Sequence, residues 1–456
     1  MTYCRRHCVD QGLVFVLTFF AYALMHGSRK VLSSVKPVMV AHFVPNVENV
    51  TATLHPSDLW YRPHPFFAST DDAILFMGVL DFLFLLSYAA GLYVSGWLGD
   101  RVDPRYVLAG GMLTGAAATF LFGVPPEWGH FYNRYWYAGL WLANGFLQGP
   151  GWPACISLVA HSFHSAHGLI LGIWSSSAGF GNIIGAILSS AVIDYGYEYV
   201  FLTISLILAA GAVITFCGIP ANVVEKSTAS AAPHTPESRN LSFCRVLLLP
   251  GVICYALAFA CLKLVNYSLF FWLPYYLHNK FGWDAGAASA LSACYDLGGL
   301  FGQIIAGGIS DLPCISRHWV NTVFLLACVP CLFAYRATPG TSLALNGFVM
   351  SVTGFFVAGP SNLLSAVLGT DLARLPSLRG KRVLSTVTGL IDGTGSFGAA
   401  FGQLLVPFMQ SHYGWNSVFT LFIVCSVLTL LFVIPPHIQS VRSRETPHEE
   451  LVPSSD

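Results

Sequence analysis

Three basic side chains interrupt stretches of the sequence that are otherwise apolar enough to cross a lipid bilayer. Arg29 and Lys30 lie in the first of these stretches, and Lys263 lies in the seventh. A charged side chain at membrane depth costs at least ~2.5–3.5 kcal/mol on insertion scales, so it normally faces a partner or a water-filled cavity. Positive charge in a buried cavity predicts the binding of an anion.

Three acidic side chains, Asp81, Asp296 and Asp392, also lie within apolar stretches. An internal ion pair lowers the cost of insertion, so the cations either bind an anion or neutralise these carboxylates. We favour anion binding for the three cations. For the three aspartates we favour structural charge pairing over proton coupling, and both interpretations stay open at this stage.

Neighbouring polar and aromatic residues are further candidates for the same site. His26 lies one helical turn from Lys30, where a neutral imidazole either donates to a bound anion or fills a helix interface. Trp152 and Tyr267 are candidates to line a cavity, although an aromatic side chain in a membrane helix more often serves packing. The same two interpretations apply to Tyr22, Tyr88 and Tyr295.

The elements that position these residues follow from hydropathy. Hydrophobic residues make up 55% of the 456 residues, charged residues make up 10%, and the mean hydropathy is +0.62, which excludes a soluble protein with a charged surface. Windows of about 20 residues predict an all-α membrane protein. The twelve predicted transmembrane helices are 13–35, 74–98, 106–124, 135–160, 168–193, 199–219, 250–277, 287–309, 318–335, 341–369, 382–408 and 416–434.

The distribution of basic residues predicts the orientation. Fourteen of the 22 Lys and Arg residues lie in the termini and the even-numbered loops, and the odd-numbered loops hold only Lys36, Arg62, Arg134, Lys280 and Arg336. By the positive-inside rule both termini are cytosolic. Since Arg29 and Lys30 interrupt the first apolar stretch, we expect a signal anchor rather than a cleaved leader.

The sequence repeats itself at an interval of 217 residues. Gly172, Phe180, Gly181 and Gly185 recur with identical spacing as Gly389, Phe397, Gly398 and Gly402. This register predicts duplication of a six-helix unit. The predicted units are an N-terminal half 1–219, a cytosolic linker 220–249, a C-terminal half 250–434 and a cytosolic tail 435–456.

Two parallel six-helix halves resemble the major facilitator superfamily, which implies a binding site near the midplane between the halves. The turn after the second span reads Gly96-Trp97-Leu98-Gly99-Asp100-Arg101 and resembles the cytosolic signature of that superfamily. The resemblance implies a gating role for Asp100 and Arg101. Asp311 is the counterpart in the second half, but no arginine follows it directly, so we expect a weaker gate there.

Three longer strings resemble the sugar-phosphate exchanger family of organophosphate:phosphate antiporters. They are Ser28-Arg29-Lys30, Gly149-Pro150-Gly151-Trp152-Pro153 and Leu262 to Ser268 with Phe271-Trp272-Leu273-Pro274. Two others, Thr353 to Asn362 and Asp392 to Ala400, are most similar to one subgroup of that family. The resemblance implies exchange of an organic phosphate for inorganic phosphate. Arg is suited to clasp the phosphate oxygens bidentately, with Lys as a mobile point charge.

Two departures from the family pattern limit what carries over. The turn after span four, which usually carries basic residues, has His161, His164 and His167 instead. Ser385 stands where the branch that transports glucose 6-phosphate has a histidine. Glucose 6-phosphate is therefore not assigned as the substrate.

The sequence favours a transporter over other classes of protein. It has no Walker loop, HExxH or GxSxG motif, and most of its 12 cysteines lie inside predicted spans as small hydrophobic residues, so we expect no catalytic site, metal or cofactor. The alternatives are proton-coupled symport of the same anion and a non-transporting sensor or scaffold. The expected partners are a phosphate-bearing anion, inorganic phosphate and possible accessory membrane subunits, with no nucleic acid. The family implies the endoplasmic reticulum membrane, with the lysosomal membrane as alternative.

The predicted topology makes a glycosylation pattern testable. Asn49-Val50-Thr51 is an acceptor sequence in a predicted lumenal loop, whereas the acceptor sequences at Asn240 and Asn266 lie in the linker and inside a helix. We expect one glycan, at Asn49, detected as a mobility shift on glycosidase treatment that Asn49→Gln abolishes. A shift that survives this substitution would show the orientation or the span count to be wrong.

Overall fold

The computed structural model describes residues 2–44, 66–99, 102–162, 168–219, 251–312, 314–364 and 384–445. In these ranges the chain is almost wholly helical and has no β-strand. The predicted glycosylation site Asn49, the gating residues Asp100 and Arg101 and the linker 220–249 lie outside the described residues.

The helices follow one another with short connections. They are α1 (Thr2–Phe43), α2 (Thr70–Gly99), α3 (Pro104–Trp128), α4 (Arg134–Gln148), α5 (Gly151–Ser162), α6 (Gly168–Ser175), α7 (Ser177–Val192), α8 (Tyr197–Gly218), α9 (Val252–Phe281), α10 (Ala285–Ser310), α11 (Arg317–Ala337), α12 (Leu343–Asn362), α13 (Leu384–Tyr413) and α14 (Trp415–Glu445), with a 3-10 turn at Ile193–Tyr195.

In the described residues each predicted span coincides with helix, so the all-α prediction is confirmed. The fourth span is split into α4 and α5 at Gly149 and Pro150, and the fifth is split into α6 and α7 at Ser176. Within the described ranges, nine stretches of helix are long and apolar enough to cross a membrane. The remaining spans are the split fourth span and the glycine-rich α10 and α13, which carry Asp296 and Asp392.

Local sequence explains where several helices begin and end. The Asp103 carboxylate accepts from the Arg105 N–H, and Pro104 fills the first helical position of α3, where no N–H is needed. Asp284 caps α10 in the same way through the Gly286 N–H. Gly282 ends α9 with a φ of 70°, which glycine adopts without strain.

Two glycines of the sequence repeat, one in each half, sit where helices touch, whereas Gly172 has nothing within 4 Å of a built Cβ. Gly181 of α7 lies against the Ala23 backbone of α1, and Gly398 of α13 lies against the Ala260 backbone of α9. A Cβ at Gly181 would lie 2.0 Å from the Ala23 carbonyl oxygen, and one at Gly398 would lie 2.5 Å from that of Ala260. The same close approach thus occurs once in each repeat.

In the described residues, the most extensive contacts between the first repeat and the second are those of α1 with α9, α2 with α13 and α7 with α10, and α1 and α6 also contact α10. The tightest approach is at Gly78 of α2, where a Cβ would lie 2.5 Å from the Gln403 carbonyl oxygen and 2.6 Å from the Pro407 ring. Ser289 of α10 donates to the Ala186 carbonyl oxygen of α7 at 3.1 Å.

The placement of Lys36 in an extra-membrane loop is wrong. Helix α1 continues past the predicted boundary at 35 to Phe43, and Lys36 is fully buried within it. Its charge is compensated by an ion pair with Asp81 of α2. A hydropathy window rejects a lysine because it scores the residue without its partner.

The close approach between α10 and α12 generates a stability prediction. A Cβ at Gly298 would lie 1.8 Å from the Ser351 carbonyl oxygen, so Gly298→Ala should cost about 1–3 kcal/mol through overpacking. Gly307 on the same helix has nothing within 4 Å of a built Cβ, so Gly307→Ala is the matched control. Thermal unfolding in detergent should separate the two variants, and equal melting temperatures would contradict the packing.

Candidate functional site

A cavity of about 530 Å³ lies between the helices of the two repeats. Aromatic and aliphatic side chains form most of its wall, which is usual for a site that binds a small molecule. Its ionisable lining residues, tyrosines aside, are His26, Arg29, Lys263, Asp296 and Asp392. Five of the six candidate substrate-binding residues therefore line one cavity, namely His26, Arg29, Lys263, Trp152 and Tyr267, and Lys30 does not.

Arg29 is the buried cation of this site that has no carboxylate partner among the described residues. Its Nε donates to Gln148 Oε1 at 2.9 Å, and its Nη1 donates to His26 Nε2 at 3.2 Å. Among the described residues no carboxylate lies within ion-pairing distance of it, and Nη2 has no hydrogen-bond partner. The guanidinium is thus held by neutral acceptors only, although the residue is 3% exposed.

Aromatic rings cover the flat faces of this guanidinium. Its Cζ lies 4.6 Å from the ring centroid of Tyr88 and 5.8 Å from that of Tyr22. Cation–π contacts of this kind stabilise a charge without neutralising it. An anion in the cavity would supply the missing negative charge.

Lys263 already has a carboxylate partner. Its Nζ lies 3.1 Å from Asp392 Oδ1 and donates to Ser396 Oγ at 3.0 Å, both on α13. The Asp392 side chain is 31% exposed and lines the cavity. The pair is therefore open to the cavity, and an anion near Lys263 would compete with Asp392 for it.

Lys30 lies behind the cavity wall. Its Nζ is 3.6 Å from Asp296 Oδ2 of α10, and it donates to the Phe270 carbonyl oxygen of α9 at 2.9 Å. That carbonyl oxygen is available because Pro274, four residues on, has no N–H to donate to it. Lys30 therefore links the first repeat to two helices of the second.

Lys36 makes the same type of contact further along α1. It pairs with Asp81 and donates to the Phe271 carbonyl oxygen at 2.9 Å, with its Nζ 4.0 Å from the Trp272 ring centroid. Sequence reasoning missed it, although Lys30, Ser33 and Lys36 recur every three residues. Ser33 also donates to the Phe270 carbonyl oxygen, at 2.8 Å, so all three residues reach α9.

A chain of hydrogen bonds connects Arg29 to the Lys30 ion pair. His26 Nε2 accepts from Arg29, so its proton is on Nδ1, which donates to Asn182 Oδ1 at 3.2 Å. Asn182 Nδ2 in turn donates to Asp296 Oδ1 at 2.8 Å. His26 is therefore a neutral link in this chain. Asn182 is a site residue that the sequence did not single out, since one amide on a polar helix face gives no signal.

The aromatic candidates form two walls of the cavity. Trp152 packs on Tyr22 with ring centroids 5.0 Å apart, and Tyr22 in turn contacts His26 at 4.8 Å. On the other side, the Tyr267 ring centroid lies 5.7 Å from Lys263 Nζ. The Tyr295 hydroxyl donates to Asn266 Oδ1 at 2.8 Å.

The predicted gating residue Asp311 lies away from the cavity, at the C-terminal end of α10. Its Oδ1 is 3.8 Å from the guanidinium Nη2 of Arg317, at the start of α11. The missing arginine directly after Asp311 is therefore replaced by one from the next helix. Of the residues where the sequence departs from the family pattern, Ser385 lies in α13 and His161 in α5, while His164 and His167 lie outside the described ranges.

Comparison with known proteins agrees with this architecture. The sequence profile of the Major Facilitator Superfamily matches residues 18–391. The chain is 42% identical to sugar phosphate exchanger 3 of Gallus gallus over 97% of this chain and 94% of that relative. It is 40% identical to sugar phosphate exchanger 3 of Homo sapiens, over 94% and 93%. It is 33% identical to glucose-6-phosphate exchanger SLC37A2 of Mus musculus, over 93% and 91%.

The two lysine–aspartate pairs at the cavity differ in burial, which generates a second prediction about stability. Asp296→Asn leaves the fully buried Lys30 without a carboxylate and should cost about 3–5 kcal/mol. Asp392→Asn should cost less, because the cavity can hydrate Lys263. The double variant Lys30→Gln/Asp296→Asn should recover much of the loss in thermal unfolding. If Asp392→Asn destabilises as strongly as Asp296→Asn, the assigned difference in burial is wrong.

Proposed function

Because the chain belongs to the major facilitator superfamily and to its sugar phosphate exchangers, we propose that it exchanges an organic phosphate for inorganic phosphate across an internal membrane. The relatives are named for exchange of sugar phosphates. The chain is accordingly a multi-pass transporter of phosphate-bearing anions, and transport by alternating access involves no covalent step.

The uncompensated charge of Arg29 carries the proposal. A phosphate monoester has between one and two negative charges near neutral pH, and the guanidinium fork matches two of its oxygens. The partnered Lys30 and Lys36 have no charge to spare, because each already has a carboxylate. Among the described residues, Arg29 is therefore the cation of the cavity that has no carboxylate partner and can pair with a bound phosphate.

The same charge explains why transport would take the form of exchange. Closing the cavity around an unpaired guanidinium removes water from a charge that no carboxylate neutralises, which is costly in a low-dielectric interior. A bound phosphate removes that cost. The helices can then move between their two arrangements only when loaded, in either direction, so each phosphate that enters is matched by one that leaves.

Lys263 has a second role in this scheme. In the structure it is held by Asp392, and both residues line the same cavity as Arg29. We assign the phosphate group to Arg29 first, with Lys263 drawn from Asp392 toward the anion as the cavity closes. The organic part of the substrate then lies against the Trp152 and Tyr267 walls, where aromatic faces can cover a sugar ring.

The conformation fits one end of the transport cycle. The contacts of Lys36 with α9 and of Gly78 with α13 lie toward the helix ends that the predicted topology places in the lumen. Leu92, Gln303 and Ser361 line the other side, toward the ends of their helices. With both termini in the cytosol, as the charge distribution predicts, this side faces the cytosol. We place the protein in the endoplasmic reticulum membrane, with the lysosomal membrane as alternative; an accessory subunit stays a prediction.

The experiment that tests this function is counterflow in liposomes. Purified protein in vesicles loaded with inorganic phosphate should take up labelled phosphate or a phosphate ester while an ionophore keeps the proton gradient at zero. Uptake that instead requires a proton gradient would replace exchange with symport, and absence of uptake would favour a sensor or scaffold. A panel of phosphate esters in the same assay identifies the organic substrate.

The anion contact is tested by variants in that assay. Arg29→Ala should abolish phosphate exchange, and Arg29→Lys should lower it by about tenfold or more, because a point charge cannot reproduce two parallel hydrogen bonds. Arg336→Lys makes the same exchange of side chains outside the cavity, where Arg336 donates to Thr420 Oγ1, and should leave exchange unchanged. Near-normal exchange by Arg29→Ala protein would overturn the assignment.

A further inference from the structure

We infer that Gln148 is a positioning residue that turns Arg29 toward the bound anion, an inference that rests on the proposed function of the cavity. Gln148 is the last residue of α4 and is fully buried. Its Oε1 accepts the Arg29 Nε–H at 2.9 Å. Gln148 does not line the cavity, so it acts on the anion through Arg29.

The orientation of the Gln148 amide is fixed by its other contacts. Its Nε2 donates to Asn144 Oδ1 at 2.8 Å and to Ser28 Oγ at 3.3 Å. A flipped amide would turn its N–H groups toward the donor on Arg29 and lose both of these bonds. The oxygen therefore faces Arg29, and Asn144 and Ser28 hold it there.

Gln148 decides which edge of the guanidinium remains for the anion. A guanidinium has five N–H groups in one plane. Gln148 takes the Nε–H and His26 takes one of the two on Nη1. One N–H on Nη1 and two on Nη2 remain, and Nη2 is the nitrogen without a partner. Because Gln148 occupies the Nε–H, two phosphate oxygens can be held side by side only by one N–H of Nη1 and one of Nη2.

The acceptor at this position has to be neutral. A carboxylate in place of the amide would pair with Arg29 Nε and supply the negative charge that the anion otherwise brings.

The local backbone also explains the position of Gln148. Gly145 and Gly149 let α4 approach α2 so closely that a Cβ at Gly145 would lie 2.2 Å from the Phe84 carbonyl oxygen. The helix then ends before Pro150, with Gln148 at its tip.

The test compares Gln148→Met, Gln148→Asn and Gln148→Glu in the full-length protein, with inorganic phosphate as the probe. Gln148→Met and Gln148→Asn should raise KM for phosphate by about tenfold, the size of one hydrogen bond to a charged group, with kcat changed much less. Gln148→Glu should abolish phosphate exchange in folded protein. Gln403→Met is the matched control, since Gln403 is a second buried glutamine that accepts from the Trp272 indole; it should leave KM unchanged.

A double-mutant cycle separates positioning from general stability. If Gln148 acts only through the Nε–H of Arg29, Gln148→Met should add nothing to the loss already caused by Arg29→Lys, which has no such group. Additive losses would overturn the inference, as would an unchanged KM in both neutral variants. Loss of folded protein in all three Gln148 variants would show a structural role instead and also overturn it.

Phosphate-dependent thermal stabilisation distinguishes failure of this inference from failure of the proposed function. Wild-type protein that is stabilised by phosphate but does not exchange it would refute the transport proposal alone. The Gln148 variants would still test positioning, through weaker phosphate stabilisation. Wild-type protein that neither binds nor exchanges phosphate refutes both.

Discussion

One uncompensated guanidinium, buried where water is scarce, is the constraint on which the rest of the site depends. The described part of the helical core places three carboxylates on three lysines and leaves Arg29 with an amide, an imidazole and two aromatic faces. Each of these neighbours stabilises a cation without cancelling its charge. On the proposed function, a carboxylate paired with Arg29 would leave the cavity without an unpaired charge to offer an anion.

The contact between α1 and α9 has a similar origin in backbone chemistry. Pro274 cannot donate to the Phe270 carbonyl oxygen, so a strong acceptor is left free inside an apolar helix interface. Lys30 and Ser33 both fill it, from the other repeat. Since these hydrogen bonds cross between the repeats, any motion that separates α1 from α9 must break them and rehydrate a lysine. Because Pro274 leaves the Phe270 carbonyl oxygen without its helical donor, that oxygen accepts hydrogen bonds from α1, and these bonds join the two repeats.

Sequence reasoning predicted the features that depend on average hydropathy or on a single charge in an apolar stretch. In the described residues hydropathy placed every predicted span on helix, and a charge in an apolar window drew attention to Arg29 and Lys263. The hydropathy window excluded Lys36 from the first span, because it scores the hydropathy of a lysine without the Asp81 that neutralises it. It also could not assign partners, since which carboxylate meets which lysine depends on helix tilt and rotation. Gln148 and Asn182 were not predicted for a simpler reason: a neutral amide has no charge that requires a partner, and its importance comes only from the charged groups that it touches.

The pairing pattern also bears on exchange against proton coupling. A proton-coupled carrier can close empty if a nearby carboxylate shifts to neutralise the free cation, but Asp296 is already engaged by Lys30 and Asn182, and Asp392 by Lys263. If either carboxylate paired with Arg29 instead, its lysine would lose its partner. The site would still contain one uncompensated positive charge, on a lysine in place of Arg29. Arg29 is also joined to Asp296 through His26 and Asn182, a chain that donates in one direction throughout and needs a neutral imidazole. A proton added to His26 would place a second cation beside Arg29 and break the chain. An anion bound in the cavity neutralises Arg29 without leaving a lysine unpaired and without protonating His26. This arrangement of charges therefore favours exchange over proton coupling.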